Sequence, residues 1–299
     1  MKKFDVVILT DPRYVNPSQI NDYNRNVLLE DNLVLKALEK EGLNVIKLSW
    51  DDLTFDWSST HYALFRSTWD YFDRFDEFST WLNAASKQTK FINSESLIKW
   101  NIDKHYLQDL EKNGVHCAQT LFIEASSKKT LAQLHKETNW TETVLKPVVS
   151  GAARHTYKLN LKNLHSYETI FKELIVKEAF MLQPFQHNIV EKGELSLIII
   201  DGEFTHAVLK IAKKGDFRVQ DDFGGAVYDY IPTTAEIKFA ENAVKACKSI
   251  PIYARVDMFT DNEGQLAIAE LELIEPELWF RNNPIAANKL AIAIKNLFD

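Results

Sequence analysis

Residues 267–274 read Ala-Ile-Ala-Glu-Leu-Glu-Leu-Ile, and this stretch carries the strongest chemical signal in the sequence. Its alternation predicts a strand, in which Glu270 and Glu272 lie on one face. A second predicted strand, residues 253–259, precedes it across the turn at 261–264. Antiparallel pairing of the two would bring Asp257 beside the glutamates, with Arg255 on the same face as Asp257.

Two interpretations of these carboxylates remain open at this stage. Three neighbouring carboxylates repel one another unless a cation lies among them. A divalent ion such as Mg²⁺, which prefers oxygen ligands, would supply that cation. A polar edge strand paired with lysine or arginine explains the same pattern, and Arg255 could form such a salt bridge to Glu270 or Glu272.

The first hundred residues predict an α/β fold with a parallel sheet. Short apolar strands at 6–9, 45–48, 63–65 and 91–92 alternate with helical patterns, which is typical of β-α-β units. Ligands of such sheets bind beyond the carboxyl ends of the strands, where Asp11, Arg66 and Ser67 occur.

The rest of the chain predicts shorter and mostly antiparallel elements. A strand at 144–147 stops at a proline, and the small residues at 150–153 form a turn or mobile loop. Residues 195–209 form a predicted hairpin around Asp201-Gly202, and Thr233 with Glu236 forms a capping box that opens a helix.

Composition narrows the class of protein. The 299 residues carry 35 Lys plus Arg against 42 Asp plus Glu, a net charge of −7 that argues against a general nucleic-acid binder. The two cysteines, Cys117 and Cys247, cannot build a disulfide framework. The amino-terminal apolar run is too short for a signal sequence and no run is long enough to span a membrane, so we expect a cytoplasmic protein.

Familiar catalytic motifs are absent from the sequence. It contains no Walker A string, no Gly-x-Gly-x-x-Gly fingerprint and no Gly-x-Ser-x-Gly elbow. The eight histidines show no His-x-x-x-His pairing, which argues against a zinc site.

A set of short motifs in a fixed order resembles the ATP-grasp ligases. They are Asn-Ile-Asp-Lys at 101–104, Lys-Pro at 146–147, Gln-Pro-Phe at 183–185, Gly-Glu at 193–194, Asp257, and Glu-Leu-Glu at 270–272. Three further stretches are similar to the glutathione-synthetase-like branch that includes O-ureidoserine cyclo-ligases of cycloserine synthesis. These are Arg-Ser-Thr-Trp-Asp-Tyr at 66–71, Gly-Asp-Phe-Arg-Val-Gln at 215–220, and Glu-Leu-Glu-Leu-Ile-Glu-Pro at 270–276.

The resemblance implies an ATP-grasp fold with an amino-terminal Rossmann-like substrate domain at 1–113, a lid subdomain at 114–184 and a metal-binding subdomain at 185–299. It implies a nucleotide site in which Lys104 and Lys146 hold the phosphates and a loop around Gly151 closes over them. Gln183, Pro184 and Phe185 would contact adenine, and either Glu191 or Glu194 would bind ribose.

The same resemblance implies the remaining roles. Asp257, Glu270 and Glu272 would bind one or two Mg²⁺ ions, with Mn²⁺ as an alternative metal. The expected catalytic residues are Arg218, Arg255 and Lys210. The expected substrate-binding residues are Arg66, Ser67, Asp70, Tyr71 and Asp11; the alternative for 66–71 is a structural loop with Trp69 and Tyr71 packed in the core.

The expected function is an ATP-dependent ligase that joins a small amino-acid-like carboxylate to an amine or similar nucleophile through an acyl phosphate. Two alternatives are a small-molecule kinase and a non-catalytic nucleotide-binding protein on the same fold. The sequence leaves the substrates and the oligomeric state open.

Overall fold

The computed structural model describes residues 2–219 and 224–298, and over these ranges the strands form three sheets. The strands are β1 (Phe4–Thr10), β2 (Val45–Ser49), β3 (Thr60–Ser67), β4 (Lys90–Ile92), β5 (Leu121–Ile123), β6 (Glu142–Pro147), β7 (Tyr157–Asn160), β8 (Phe180–Pro184), β9 (Glu194–Ile200), β10 (Glu203–Ile211), β11 (Ala226–Tyr230), β12 (Tyr253–Thr260) and β13 (Leu266–Glu272). The helices are α1 (Asp22–Lys40), α2 (Phe75–Ala85), α3 (Glu95–Asn101), α4 (Tyr106–Lys112), α5 (Leu131–Thr138), α6 (Leu164–Ile175), α7 (His187–Lys192), α8 (Thr234–Lys245) and α9 (Pro284–Lys295).

The first sheet is parallel, with strand order β2-β1-β3-β4, as the β-α-β pattern predicts. Its central strands are apolar on both faces because helices and a second sheet cover them; Val6, Val7, Ile8 and Leu9 are all fully buried. The predicted α/β class is therefore confirmed, and β1 and β3 both point their carboxyl ends toward the same edge.

The second sheet is antiparallel, with order β5-β8-β6-β7. Helices α5 and α6 cover one face of it through a separate apolar core that includes Leu134, Leu145, Phe171 and Phe180. The predicted strand that stops at Pro147 is confirmed as β6. Lys146 is the penultimate residue of this strand.

The third sheet is antiparallel, with order β11-β10-β9-β12-β13. The predicted hairpin is confirmed as β9 and β10, and both of its turn residues have positive φ, 52° at Asp201 and 79° at Gly202. The predicted capping box is also present, with Thr233 as the N-cap of α8. Strands β12 and β13 pair in the register that aligns Asp257 with Glu270.

One core joins the first sheet to the third. Helix α9 packs against α1, and their apolar side chains merge with those of β9 in a cluster that includes Leu38, Ile198 and Leu290. The Tyr253 hydroxyl donates to the carbonyl oxygens of Phe65 at 3.1 Å and Ile274 at 2.6 Å. This contact fixes the end of β3 against the segment that follows β13.

No helix within residues 2–219 and 224–298 is both long enough and apolar enough to cross a membrane.

Candidate active site

A cleft of about 560 Å³ lies where the three sheets meet. Its walls come from the loops after β1 and β3, from β6 and the loop that follows it, from the β8–α7 segment, and from β12 and β13. A cavity of this size fits the range that small-molecule and cofactor sites occupy.

One end of the cleft is apolar. Ala118, Val144, Ile189 and Phe259 line it together with the β8–α7 segment. In that segment the Gln183 side chain donates to the Thr120 hydroxyl at 2.9 Å, and the backbone N–H of Phe185 donates to the Glu142 carbonyl at 2.9 Å. Gln183, Pro184 and Phe185, which the sequence predicts to contact adenine, therefore lie together on the wall of this apolar end.

Two lysines stand at the polar end. Lys104 follows α3, and its ammonium donates to the Ser150 carbonyl at 2.6 Å and pairs with Glu270 at 2.9 Å. Lys146 projects from β6, with no carboxylate within 4.0 Å among the described residues. Burial lowers the pKa of Lys146, and the negative charge of Glu270 opposes that shift.

The loop at 150–156 lies over this end and touches the amino-terminal part of the chain. An ideal Cβ built on Gly151 would lie 2.5 Å from Cε1 of Phe72, so a side chain has no room there. Ala152, Ala153 and His155 adopt positive φ values of 47°, 53° and 49°, a region that non-glycine residues rarely occupy. Arg154 anchors the loop by pairing with Glu178.

The acidic strands supply the opposite wall. Glu270 and Glu272 line the cleft, while Asp257 lies beneath them and is only 2% exposed. Arg255 bonds to both Asp257, at 2.8 Å, and Glu272. The salt bridge that sequence considerations left open therefore exists, with Asp257 and Glu272 as its acids.

These charges shift one another strongly. Burial would raise the pKa of Asp257, but Arg255 and Lys210 hold it at about 2. Burial raises the pKa of Glu272 to about 8, since Arg255 only partly offsets the loss of hydration and the repulsion from Glu270 and Asp257. Glu272 therefore tends to keep its proton unless a further cation comes near, and a bound cation would lower its pKa.

Side chains from other elements hold the backbone around the end of β13. The Tyr106 hydroxyl accepts from the N–H of Leu271 at 2.8 Å, and Asn101 bonds to the Leu271 carbonyl and the Leu273 N–H, each at 2.8 Å. An edge strand otherwise leaves such groups without partners. The bonds keep the cleft-facing carboxylates in a fixed position.

Lys210, Glu194 and Arg218 have partners of their own. Lys210 is 5% exposed and pairs with Glu194 at 2.5 Å and Asp257 at 3.2 Å, so the structure places it beneath the wall rather than on the cleft lining. Glu194 does line the cleft, whereas Glu191 is exposed and does not. Arg218 lines the cleft and bonds to Asp216 at 2.8 Å. Gln220, the last residue of the 215–220 motif, lies outside the described residues.

The polar and aromatic residues at the ends of β1 and β3 and in the loop after β3 divide into two groups. Trp69 and Tyr71 line the cleft, but Arg66, Ser67, Asp70 and Asp11 do not. The Asp70 carboxylate accepts from Trp50 Nε1 at 2.7 Å and pairs with Arg74 at 2.7 Å, and Asp11 pairs with Arg13 at 2.6 Å. The structure therefore keeps most of the polar groups at these strand ends away from the cleft.

Arg66 occupies a separate position. It is 3% exposed, its guanidinium lies 5.6 Å from the Phe280 ring centre and 5.9 Å from that of Tyr253, and its Nε and one terminal nitrogen lack a partner among the described residues. It borders a cavity of about 10 Å³, shared with Asp31 and Ser67.

The sequence interpretation missed several cleft residues. Arg13, Tyr14 and Glu275 all line the cleft. Glu275 is part of the quoted 270–276 motif, but it follows the end of β13, so strand alternation could not place it. Arg13 and Tyr14 follow the carboxyl end of a buried strand. Because ligands of parallel sheets bind at such ends, this position could have predicted that they lie at the site.

A magnesium site is compatible with this wall. No group of three or more His, Cys, Asp or Glu side chains in the described part of the chain stands ready as a metal site. Mg²⁺, however, commonly uses one or two carboxylates plus substrate phosphates. Glu270 and Glu272 face the cleft beside Lys104 and Lys146, and their carboxyl oxygens are the kind of ligand that Mg²⁺ prefers.

Comparisons with known proteins agree with this architecture. Residues 6–93 match the N-terminal domain of D-cycloserine synthetase DcsG, and residues 111–253 match the ATP-grasp domain of prokaryotic glutathione synthetase. The cycloserine biosynthesis protein DcsG of Streptomyces lavendulae is 27% identical over 259 residues, which cover 82% of this chain and 86% of that protein.

Two solved structures share the fold. The crystal structure of D-cycloserine synthetase DcsG has a TM-score of 0.85 at 24% identity and covers 98% of this chain and 99% of its own. The ATP-grasp ligase PsnB, complexed with a phosphomimetic variant of its minimal precursor, Mg and ADP, has a TM-score of 0.63 at 15% identity, with 100% of each chain covered.

A cleft with an apolar end, two cleft-facing lysines and an acidic strand, in a chain that matches these models, defines an ATP-dependent ligase of the ATP-grasp class. Residues 111–253 form an ATP-grasp domain of the glutathione-synthetase type, residues 6–93 match the DcsG N-terminal domain, and the chain is similar over most of its length to DcsG. The family resemblance predicted from the sequence is confirmed.

Proposed function

We propose that this protein forms a C–N bond between a small amino-acid-like carboxylate and an amine or similar nucleophile, with ATP converted to ADP and phosphate. The observation that carries the proposal is that Lys104, which pairs with Glu270, and Lys146 both line the polar end of a cleft whose other end is apolar. A nucleotide placed with its base at the apolar end would direct its phosphates to the lysines and the acidic wall.

In the proposed first step, a substrate carboxylate oxygen attacks the γ-phosphorus of ATP. The bond from that phosphorus to the β–γ bridging oxygen breaks, giving an acyl phosphate and ADP. Negative charge moves onto oxygens that Lys104, Lys146 and Arg218 are placed to stabilise. In the second step the nitrogen nucleophile attacks the acyl carbon and inorganic phosphate leaves.

We propose that Glu270 and Glu272 bind Mg²⁺ together with the phosphates. Asp257, which is buried beneath them, would add its negative charge to the site. A bound ion would neutralise phosphate charge at these carboxylates. Because Arg255 already bonds to Glu272 and Asp257, it positions these carboxylates. Two groups of the chain itself, the 150–156 loop and Phe72, would exclude water from the acyl phosphate.

Of the two glutamates considered for ribose, Glu194 is the better candidate, since it lines the cleft. We also propose that the domain boundaries fall near residues 113 and 184.

An ADP-release screen over amino acids, with mass detection of products, tests the proposal. We expect release that depends on both Mg²⁺ and an amino-acid substrate, and a product that has lost the elements of water. In Glu270→Gln the rate should fall by at least about 100-fold, because a carboxylate proposed to hold Mg²⁺ at the phosphates is lost and with it charge stabilisation of the transition state. Glu263→Gln, in the exposed β12–β13 turn, is the matched control.

Three other results would contradict the proposal. A stable phosphorylated product with no new C–N bond would indicate a kinase. ATP binding without ADP release under any substrate would indicate a non-catalytic binder. Normal turnover by Glu270→Gln would remove the acidic strand from the mechanism.

A further inference from the structure

Glu275 is a cleft carboxylate without a cation. Among the described residues that line the cleft, the other glutamates each pair with a lysine or arginine: Glu194, Glu270, Glu272 and Glu277. Glu275 lies within 4.0 Å of no lysine, arginine or histidine nitrogen in the described part of the chain. Its side-chain partner is the Tyr71 hydroxyl, which donates to it.

The Glu275 position is rigid. Its carbonyl accepts from Trp69 Nε1 at 2.8 Å, and the carbonyl of the preceding residue, Ile274, accepts from the Tyr253 hydroxyl at 2.6 Å. Pro276 follows directly, so the backbone on both sides of Glu275 is restrained. A carboxylate on a restrained backbone keeps its place before any ligand arrives, which is the requirement for a recognition group.

The surroundings of Glu275 fit an organic cation. Tyr71 and Trp69 supply aromatic surface at the same place, and Tyr14 packs edge-on against Trp69 with ring centres 5.7 Å apart. Carboxylates and aromatic rings are the groups that proteins use to bind ammonium. Burial raises the pKa of Glu275 to about 7, although the Tyr71 hydroxyl and the charge of Lys104 both lower it.

We propose that Glu275 and Tyr71 form an ammonium-binding subsite, which makes a substrate with a free primary amine the preferred ligand of the amino-terminal side of the cleft. The subsite lies beside Glu272 and Lys104, so the bound amine would lie next to the reacting carboxylate. The inference rests on the proposed function for the identity of the cleft.

The test compares amino acids with their deaminated and acylated counterparts. D-alanine, D-serine and O-ureidoserine are paired with D-lactate, D-glycerate and N-acetyl-O-ureidoserine. Each compound is measured twice on the full chain: by ADP release with Mg·ATP, and by ligand-observed NMR with Mg·ADP present, which needs no turnover. We expect the free-amine compounds to bind or react and their counterparts to do so far more weakly.

Three variants assign the preference to the subsite. For a substrate with a free amine, Glu275→Gln should raise KM about 10- to 100-fold with kcat little changed, because a hydrogen bond to a charged group is lost. It should leave the weak response to D-lactate and D-glycerate unaltered. Tyr71→Phe should give a smaller change in the same direction, and Glu275→Asp should recover part of the preference. The controls are Glu263→Gln and Tyr228→Phe, whose side chains are exposed.

The outcomes separate this inference from the proposed function. Amine-dependent binding that requires Glu275 supports the subsite even if no ADP is released, in which case the proposed function alone fails. ADP release with Glu275→Gln retaining the full amine preference overturns the subsite and leaves the proposed function standing. Equal binding of amines and their counterparts by the wild type overturns the subsite in either case. Loss of the preference together with a lowered melting temperature is resolved by Tyr71→Phe, which must reduce the preference in a folded protein.

Discussion

Two strand ends meet at the cleft, and they use their polar residues in opposite ways. At the end of β13, Glu270 and Glu272 face the cleft and are held there by Lys104 and Arg255. In the loop after β3, Asp70 is bound to Trp50 and Arg74 and does not line the cleft. A dense run of polar residues therefore indicates a site only when the backbone fixes which way the side chains point.

The arginines of the two regions provide the largest expected difference. Arg255→Ala should lower the free energy of unfolding by about 3 kcal/mol, because buried Asp257 would keep only Lys210 as a cation and half-buried Glu272 would lose its cation. Arg74→Ala removes a cation that also contacts several acids, but its side chain is 32% exposed. Its cost should be no more than about 1 kcal/mol, since solvent replaces much of the pair.

Urea denaturation of both variants checks the difference, and Arg255→Lys should recover part of the loss. Equal losses of unfolding free energy in Arg255→Ala and Arg74→Ala would contradict this prediction. They would mean that the ion pairs of the cleft wall stabilise the fold no more than those of the loop after β3.

The second expected effect concerns activity without stability. Lys146→Met should reduce kcat/KM for ATP by about 100- to 1,000-fold, because a cation at the developing phosphate charge is lost. Its free energy of unfolding should stay the same or rise, since the buried ammonium has no carboxylate partner within 4.0 Å among the described residues. Lys162→Met, an exposed lysine in the same sheet region, is the control. A clear loss of stability in Lys146→Met would show that this lysine supports the fold.

The sequence predicts the β13 side of this comparison well, for physical reasons. Side chains of a strand alternate strictly, so the shared face of Glu270 and Glu272 follows from their spacing, and antiparallel pairing then aligns Asp257 with Glu270. The parallel first sheet, the β9–β10 hairpin and the N-cap of α8 were predictable because each rests on a local pattern.

The β3 side was not predictable in the same way. Residues after Ser67 leave the strand, so no period fixes their direction, and Asp70, which was expected at the substrate, bonds instead to Trp50 and Arg74. Arg66 and Ser67 still belong to β3 and Asp11 follows β1, but none of the three lines the cleft. Strand alternation could not predict the direction of the Glu275 side chain either, because Glu275 lies beyond the last residue of β13. The roles of the individual site residues remain predictions, whereas their positions relative to the cleft are now known.

The contact between the 150–156 loop and the loop after β3 gives a third test. Gly151→Ala would place a Cβ 2.5 Å from the buried Phe72 ring, so the 150–156 loop must shift away from the loop after β3. Overpacking of this kind costs about 1–3 kcal/mol, and we expect the KM for ATP to rise. Phe72→Leu in the same chain should restore part of the affinity, as residues in contact are not additive. An unchanged KM in Gly151→Ala would show that the loop does not depend on Phe72 for its position.

The smallest expected effect distinguishes the two carboxylates on the amino-terminal side, Asp70 and Glu275. Asp70→Asn keeps an oxygen for the Trp50 indole but loses the charge that pairs with Arg74, so stability should fall by no more than about 1 kcal/mol. Its kcat/KM for an amine substrate should match that of the wild type, because the Asp70 side chain does not line the cleft. Parallel assays with Glu275→Gln then compare a carboxylate committed to the protein with one left open to a ligand. A large loss of kcat/KM in Asp70→Asn, without a change in stability, would return Asp70 to the substrate site and show that the loop after β3 rearranges when the substrate binds.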